Sequence, residues 1–307
     1  MQLIFSVLTT FNQTIPFSFS DITLEIKRED MIHPIVSGNK FRKLKYNLLQ
    51  AKAENQHTLL TFGGAYSNHI AAVAFAGKEH GFKTIGIIRG NELQNGFAKN
   101  PTLNFAHDCG MQFDFVSRDD YRKKLEFDFV KKLTAKWGDF YSIPEGGTNE
   151  LAVLGCQEIL TDEDSKFDFI CCCVGTGGTV SGLINSAQPH QKILGFPALK
   201  GDFLTEEIRK FATNDRWELI GDYNFGGYAK ISNELVDFIN SFLLETGIPL
   251  DPIYTGKMVF GVIDMIRKNY FPEKSRILMI HTGGLQGIDG MNMKLQKQKS
   301  PTLLKDV

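Results

Sequence analysis

The sequence lacks a charge excess of either sign, a long apolar run, and the cysteine spacings of a metal or redox site. Lysine and arginine together number 34 and aspartate and glutamate 35, which gives a net charge of −1. A chain so close to neutral has no extended field for nucleic acid or for an anionic membrane surface, so we expect neither partner. No apolar stretch reaches the length of about 18 residues that a membrane-spanning helix needs.

Cysteine pairs of the Cys-x-x-Cys type are also missing. Cys109 and Cys156 stand alone, and the other three cysteines are consecutive at 171–173, in the apolar run FDFICCCVG. That run predicts a buried strand in which cysteine acts as a small hydrophobic residue, so we expect no metal. No lysine or arginine precedes Lys27 to begin a secretory signal, and together with the cysteine pattern this predicts a cytoplasmic protein.

What the sequence does contain is a steady alternation of short β-rich runs and segments of helical length. Most of the runs are apolar throughout, as strands covered on both faces must be. The alternation predicts an α/β protein with mostly parallel sheets flanked by helices. The predicted strands are 22–26, 58–62, 83–89, 111–116, 139–143, 167–174, 192–196, 217–220 and 276–281, and the predicted helices include 42–54, 68–80, 149–160, 204–213, 233–246 and 257–269.

Four of the predicted strands end in glycine-rich or polar sequence, at 62–69, 143–150, 174–182 and 280–284. In parallel sheets, ligands bind where strands end and helices begin. The stretch VGTGGTVSG reads as strand, glycine loop and helix start, a geometry that presents N–H groups to an anion. It lacks the Gly-Lys-Ser/Thr of a Walker loop, and Val180 stands at the third glycine of G-x-G-x-x-G. The stretch is therefore either a phosphate cradle or only a tight turn.

Lys40 follows a Ser-Gly-Asn step in SGNKFRKLK, at the start of a predicted helix. By itself it would be a surface lysine, and Ser67 and Asn68 of GGAYSNH would be helix caps. A lysine amine, a phosphate loop and a polar clasp for a carboxylate together suit pyridoxal phosphate, which needs a lysine, a phosphate anchor and a polar partner for its pyridine nitrogen. The amine must lose its proton to react, which burial and the neighbouring charge of Lys43 favour.

Seven motifs between residues 37 and 284 resemble, in order, those of one family: SGNKFRKLK, GGAYSNH, IIRG, PEGGTNELAVLG, VGTGGT, DPIYTGK and IHTGG. The family comprises the pyridoxal-phosphate proteins grouped as 1-aminocyclopropane-1-carboxylate (ACC) deaminase and D-cysteine desulfhydrase. The resemblance implies a two-domain, tryptophan-synthase-β-like fold, also called fold type II. A large cofactor-binding domain would comprise 1–42 and 148–307, and a smaller α/β domain, 43–147, would be inserted into it. The resemblance also implies a homodimer.

The same resemblance assigns roles to individual residues. Lys40 would bind pyridoxal phosphate covalently, and Asn68 would hydrogen-bond the cofactor's ring oxygen. Ser67 would contact the substrate carboxylate or act as a nucleophile, and Tyr254 would assist proton transfer. The predicted phosphate cradle consists of Gly175, Thr176, Gly177, Gly178 and Thr179, the predicted catalytic residues are Lys40, Ser67 and Tyr254, and the predicted substrate-binding residues are Ser67, Asn68, His69 and Tyr254.

Two threonines decide the expected reaction. Deaminases of the family have glutamate and leucine where this sequence has Thr255 and Thr282, which are both expected to bind the cofactor. A carboxylate beside the pyridine nitrogen stabilises its protonated form, whereas a hydroxyl does so much less and suits elimination of a good leaving group. The resemblance therefore predicts conversion of a small amino acid, D-cysteine, to pyruvate, ammonia and hydrogen sulfide. The alternatives are an ACC deaminase, a pyridoxal-phosphate-binding protein without turnover, and a nucleotide-dependent Rossmann enzyme.

Overall fold

The computed structural model describes residues 10–17, 21–199, 201 and 203–305. The strands of this part are β1 (Asn12–Thr14), β2 (Thr23–Lys27), β3 (Thr58–Gly63), β4 (Lys83–Arg89), β5 (Gln112–Val116), β6 (Tyr141–Ile143), β7 (Phe169–Val174), β8 (Lys192–Pro197), β9 (Trp217–Leu219) and β10 (Arg276–Ile280). The α-helices are α1 (Asn39–Ala53), α2 (Asn68–His80), α3 (Pro101–Asp108), α4 (Arg118–Arg122), α5 (Phe127–Trp137), α6 (Glu150–Gln157), α7 (Gly178–Ser186), α8 (Phe203–Arg209), α9 (Asn233–Thr246), α10 (Thr255–Arg267) and α11 (Gly287–Lys297).

Two sheets form the framework. The larger has six strands in the order β1-β2-β10-β7-β8-β9, and among its described strands only the β1–β2 pair is antiparallel. The smaller has four strands in the order β5-β4-β3-β6, all parallel. Helices follow the strands and cover the sheets. The prediction of an α/β protein with mostly parallel sheets is therefore confirmed.

Every predicted strand overlaps a strand of the structure, and the edge strand β1 was not predicted. It comprises three polar residues, Asn-Gln-Thr, and so carries no hydrophobic pattern. The smaller sheet uses residues from 58 to 143, which fall inside the predicted inserted domain. The division into domains at 42/43 and 147/148 stays a prediction.

Two glycines let three helices pack closely against one another. A Cβ at Gly155 of α6 would lie 2.0 Å from the carbonyl oxygen of Arg42 in α1, and one at Gly182 of α7 would lie 2.9 Å from the carbonyl oxygen of Val153 in α6. Because no side chain stands between them, α1, α6 and α7 stack with their backbones nearly in contact. This stacking brings the first turns of α1 and α7 close to each other.

The consecutive cysteines lie in β7, as predicted for a buried strand. Cys171 and Cys173 belong to the core on one face of the larger sheet and Cys172 to the core on the other, and all three are buried. The alternation follows from the two-residue period of a strand. Within the described ranges, no helix combines the length and the apolar character needed to cross a membrane.

Candidate active site

A cavity of about 900 Å³ lies where strands of both sheets end. Its walls come from loops that follow β3, β6, β7 and β10, and from the first turn of α1. This is the position at which parallel sheets bind ligands. Of the residues predicted for the site, the cavity is lined by Lys40, Ser67, Asn68, His69, Gly175, Thr176, Gly177, Thr179, Tyr254 and Thr282, whereas Gly178 and Thr255 do not line it.

The start of α1 is fixed by its contacts with two of these loops. Gly38 has φ 60° and ψ −140°, and a Cβ there would lie 1.9 Å from the carbonyl oxygen of Thr282. The Asn39 N–H donates to the same oxygen at 3.2 Å, and the Asn39 side-chain amide donates to the Thr179 hydroxyl at 2.9 Å. Lys40 is the next residue, so its amine is delivered between the loop after β10 and the glycine loop.

The Lys40 amine has an unusually low proton affinity. Removal of water from the half-buried side chain, together with the positive charge of Lys43, lowers the pKa of Lys40 to about 7. A lysine that is half deprotonated near neutral pH is a far better nucleophile than an ordinary one. The structure thus places an amine of lowered pKa in the cavity, and the covalent role of Lys40 stays a prediction.

The reactivity of Lys40 should therefore change with pH in a defined window. Below about pH 7 the amine is protonated and inert, and its rate of acylation should rise as the pH increases through that value and level off above it. Competitive acylation of the cofactor-free protein measures this pH profile, with the acylated Lys40 peptide quantified by mass spectrometry. A free lysine-containing peptide in the same reaction serves as the reference for an ordinary amine. A midpoint close to the ordinary value of 10.5 would show that the burial of Lys40 has no such effect.

Lys43 acts behind the glycine loop. Its side chain is 2% exposed, and its Nζ donates to the carbonyl oxygen of Gly146 at 3.2 Å and to the Thr148 hydroxyl at 3.0 Å. The Thr148 hydroxyl is in turn 2.6 Å from the hydroxyl of Thr176. Burial lowers the pKa of Lys43. Lys43 is thus a brace for the loop rather than part of a surface patch.

The glycine loop itself has the form of an anion cradle. It follows β7 and turns through Gly177 (φ 85°) into α7, whose first-turn N–H groups have no partner within the helix. Gly175 leaves room for the Tyr254 ring, since a Cβ there would lie 3.2 Å from Cε1 of that ring. The helix start, the hydroxyls of Thr176 and Thr179 and the nearby Lys43 together suit a phosphate group.

In the Ser-Asn-His stretch after β3, Ser67 caps a helix and Asn68 presents an unsatisfied polar atom. The Ser67 hydroxyl accepts from the Ile70 N–H at 3.3 Å, so Ser67 caps α2 as well as lining the cavity. Asn68 has a buried side-chain oxygen with no hydrogen-bond partner among the described residues. A buried amide oxygen without a partner costs free energy unless a ligand satisfies it. This orphaned atom is an independent indication that a polar ligand binds here.

His69 lines the cavity and is almost fully buried. Its Nε2 lies 2.8 Å from the Thr61 hydroxyl, which also donates to the carbonyl oxygen of Ile143. Burial lowers the pKa of His69 well below 6.5, and the charges of Lys40 and Lys43 lower it further. His69 is therefore a neutral imidazole anchored to β3, and its role towards the substrate stays a prediction.

Tyr254 shares the cavity with a second tyrosine that sequence reasoning missed. The ring of Tyr228 packs edge-on against it with 6.2 Å between centroids. Burial raises the pKa of Tyr254 well above its ordinary value, and the nearby Tyr228 and Asp251 raise it further. The Lys257 amine holds the loop before Tyr228 by donating to the carbonyl oxygen of Gly227 at 2.8 Å. Tyr254 is thus a protonated phenol at neutral pH.

The two threonines that decide the expected reaction occupy different places. Thr282 lines the cavity, and its hydroxyl is 3.0 Å from the Cys173 thiol, so one of the three core cysteines also reaches the site. Thr255 is fully buried and its hydroxyl donates to Oδ2 of Asp251 at 2.7 Å. It secures the start of α10 and does not line the cavity, so its placement gives no support to cofactor contact by Thr255.

These groups fit pyridoxal phosphate. The residues that would hold it are the low-pKa amine of Lys40, the start of α7 with its threonines, the side-chain amide of Asn68, whose oxygen lacks a partner in the described part of the chain, and the neutral hydroxyl of Thr282. The set supplies a covalent anchor, a phosphate cradle and polar partners for the ring, as this cofactor requires. The role of each residue stays a prediction.

Comparison with known proteins also indicates a pyridoxal-phosphate protein. The family described as pyridoxal-phosphate dependent enzyme matches residues 18–283. A putative ACC deaminase of Thermotoga maritima is 33% identical over 88% of this chain and 91% of its own length. A mitochondrial bifunctional D-cysteine desulfhydrase/ACC deaminase of Arabidopsis thaliana is 30% identical over 86% and 73%.

Solved structures agree in fold. The crystal structure of an ACC deaminase homologue superimposes with a TM-score of 0.82 and 29% identity, covering 94% of both chains. An O-ureido-L-serine synthase, at 15% identity and a TM-score of 0.67, shares the fold over 92% of both chains. The predicted family and cofactor are confirmed: the chain belongs to the pyridoxal-phosphate dependent enzymes, within the family of ACC deaminase and D-cysteine desulfhydrase.

Proposed function

We propose that the protein removes the β-substituent and the amino group of a small amino acid, with D-cysteine as substrate and pyruvate, ammonia and hydrogen sulfide as products. The observation that carries the proposal is a pair of opposite protonation states in one cavity. The Lys40 amine loses its proton near pH 7, and the Tyr254 phenol keeps its proton far above that. An elimination needs a base for the α-proton and an acid for the leaving group, and this pair supplies both.

The chain's own residues would share the work as follows. Pyridoxal phosphate, when bound, withdraws electrons from the carbon that carries the amino group. The cradle at Gly175, Thr176 and Gly177 and the brace of Lys43 hold the phosphate. Lys40, once its amine is free, takes the α-proton at Nζ, and Tyr254 donates from its hydroxyl to the departing sulfur. Ser67 and Asn68 orient the substrate carboxylate.

Thr282 supports D-cysteine over ACC as the substrate. Its hydroxyl lies 3.0 Å from the Cys173 sulfur, and neither side chain is a carboxylate, so we infer that the pyridine nitrogen meets no carboxylate in this part of the cavity. A weaker electron sink suits a substrate whose own leaving group stabilises negative charge, as a thiolate does. ACC deamination is the second candidate, because several relatives carry that name, and a cofactor-binding protein without turnover is the third.

Ammonia release from D-cysteine, L-cysteine and ACC at equal concentrations separates these candidates. We expect kcat/KM for D-cysteine to exceed that for ACC at least about tenfold, a difference of about 1.4 kcal/mol between the two transition states. A higher value for ACC would make the protein a deaminase. If none of the three amino acids changes the visible absorption of the purified protein, the protein binds the cofactor without using it on these substrates.

We also propose a homodimer, on the basis of the family resemblance alone. Light scattering of the purified protein measures its mass, for which one chain contributes 34.5 kDa.

A further inference from the structure

A second cavity of about 570 Å³ lies at the carboxyl edge of the smaller sheet. Its walls come from Gly64 after β3, Arg89 at the end of β4, Arg118 after β5 and Glu145 after β6. Four basic side chains line it against two acidic ones, although the chain as a whole is nearly neutral. Gly64, Ala65, Arg89 and Glu145 also line the cofactor cavity, so the two cavities adjoin each other.

Three of the four cations are already paired with an acid. Arg118 lies 2.5 Å from Glu92, Arg122 lies 2.8 Å from Asp119, and Lys124 lies 3.2 Å from Glu145, measured between charged atoms.

Arg89 differs from the other three cations. Within the described ranges no carboxylate lies within ion-pair distance of its guanidinium, which instead sits 5.6 Å from the centre of the buried Tyr121 ring. A guanidinium stacked on an aromatic ring keeps its edge donors available, and its planar fork binds two oxygens of an acidic group at once.

Arg89 also faces the reacting part of the site. A Cβ added to Gly64 would lie 3.5 Å from Nη2 of Arg89, so the guanidinium lies along the loop that leads to Ser67. The charge of Arg89 also acts on Tyr228, where it opposes the rise in pKa that burial causes, and Tyr228 packs against Tyr254. Arg89 thus stands between the second cavity and the residues that would release the leaving group.

We propose that Arg89 anchors an acidic group on the β-substituent of the substrate, so that the site also accepts, and prefers over D-cysteine, small amino acids whose leaving group carries a sulfonate or a carboxylate. This deepens the proposed function and rests on it. With cysteine-S-sulfonate, the Cβ–S bond breaks and its electron pair leaves on sulfur as thiosulfate. The α-proton passes to Lys40, and addition of one water yields pyruvate, ammonium, thiosulfate and one proton.

The test compares two substrates of the holoprotein, the S-sulfonate and the S-methyl derivative of D-cysteine, of which only the first carries an acidic group on its β-substituent. Thiosulfate is also the better leaving group, so the change of their kcat/KM ratio in each variant, rather than the ratio itself, reports on Arg89. In the wild type the S-sulfonate should have the higher kcat/KM. Arg89→Gln should lower the ratio of kcat/KM for the S-sulfonate over the S-methyl derivative at least about tenfold, through KM, since a charge-assisted bidentate contact is lost. Arg89→Lys should restore only part of the ratio, because a point charge cannot form the fork.

Arg122→Gln is the matched control, because it removes a cation from the same rim that Asp119 already pairs. Its ratio should change less than about twofold. An unchanged ratio in Arg89→Gln, or an equal loss in Arg122→Gln, would overturn the proposal. Turnover of D-cysteine without turnover of the S-sulfonate would overturn the Arg89 proposal and leave the proposed function standing. If the wild type turns over neither derivative nor D-cysteine, the proposed function fails, and calorimetric Kd values for the S-sulfonate decide the Arg89 proposal: a tenfold weaker Kd in Arg89→Gln supports it and equal Kd values reject it.

Discussion

Lys40→Ala should abolish the visible absorption of the protein and lower turnover at least about a thousandfold. The alanine has no amine with which to bind the cofactor, and no base remains at the same place for the α-proton. Folding should be retained, because an amine whose pKa falls to about 7 makes an unfavourable contribution to folding when it is charged, and alanine suits a helix better than any other residue. Absorption spectra, circular dichroism and steady-state rates measure the three effects.

Lys45→Ala is the matched control for that change. Lys45 lies on the same helix, but its amine is 2.7 Å from the Glu158 carboxylate and does not line the cavity. We expect this variant to keep the spectrum and to lose no more than about 1 kcal/mol of stability, the usual value of such an ion pair. A normal spectrum in Lys40→Ala, or a lost one in Lys45→Ala, would show that the reactive lysine is another residue.

Gly38→Ala should lower the free energy of unfolding by about 2–5 kcal/mol. The positive φ of 60° is unfavourable for alanine, and its Cβ would lie 1.9 Å from the Thr282 carbonyl oxygen, so the backbone must move. Moving it breaks the hydrogen bond from the Asn39 N–H to that oxygen and displaces Lys40. We therefore expect slower covalent attachment of pyridoxal phosphate in the same variant, measured by absorbance after mixing, beside unfolding in denaturant.

Gly81→Ala separates the effect of a positive φ from the effect of the contact with the Thr282 carbonyl oxygen. Gly81 also has a positive φ, 77°, but a Cβ there would meet no atom within 4 Å. The free energy of unfolding of Gly81→Ala should fall by only about 1–2 kcal/mol, because alanine disfavours a positive φ. Cofactor attachment should be unchanged. If both variants lose the same stability and bind cofactor alike, the contact between Gly38 and the Thr282 loop does not position Lys40.

The parts of the fold with strong local patterns were predictable from sequence. Helix α2 was predicted at its observed bounds, because it is apolar on nearly every face until Lys78 and ends at Gly81 in a left-handed conformation. Strand β4 was likewise predicted at its bounds. The predicted helix 204–213 is 203–209 in the structure, because its final residues carry no signal that would distinguish a helix end from a turn.

The site residues were predictable from sequence only where the residues next to them in the chain indicate a ligand. Gly38 beside Lys40, and glycines beside Thr176, indicate where backbone approaches a ligand. Thr282 lines the cavity and Thr255 does not, because the Thr255 hydroxyl donates to the Asp251 carboxylate instead. The spacing of these residues in the sequence does not reveal that hydrogen bond. Arg89 lies in the IIRG motif, but the resemblance gave it no role, and only the packing of the loops after β3, β4 and β6 shows that it lies at the cavity.

The covalent link between Lys40 and pyridoxal phosphate is tested most directly by locating the cofactor on the chain. The purified holoprotein is reduced with borohydride, which fixes the covalent link, then digested and analysed by mass spectrometry. We expect a phosphopyridoxyl group on the peptide that carries Lys40 and on no other peptide. The same group on Lys43, Lys257 or any other lysine, or no labelled peptide from a protein that contains the cofactor, would contradict it.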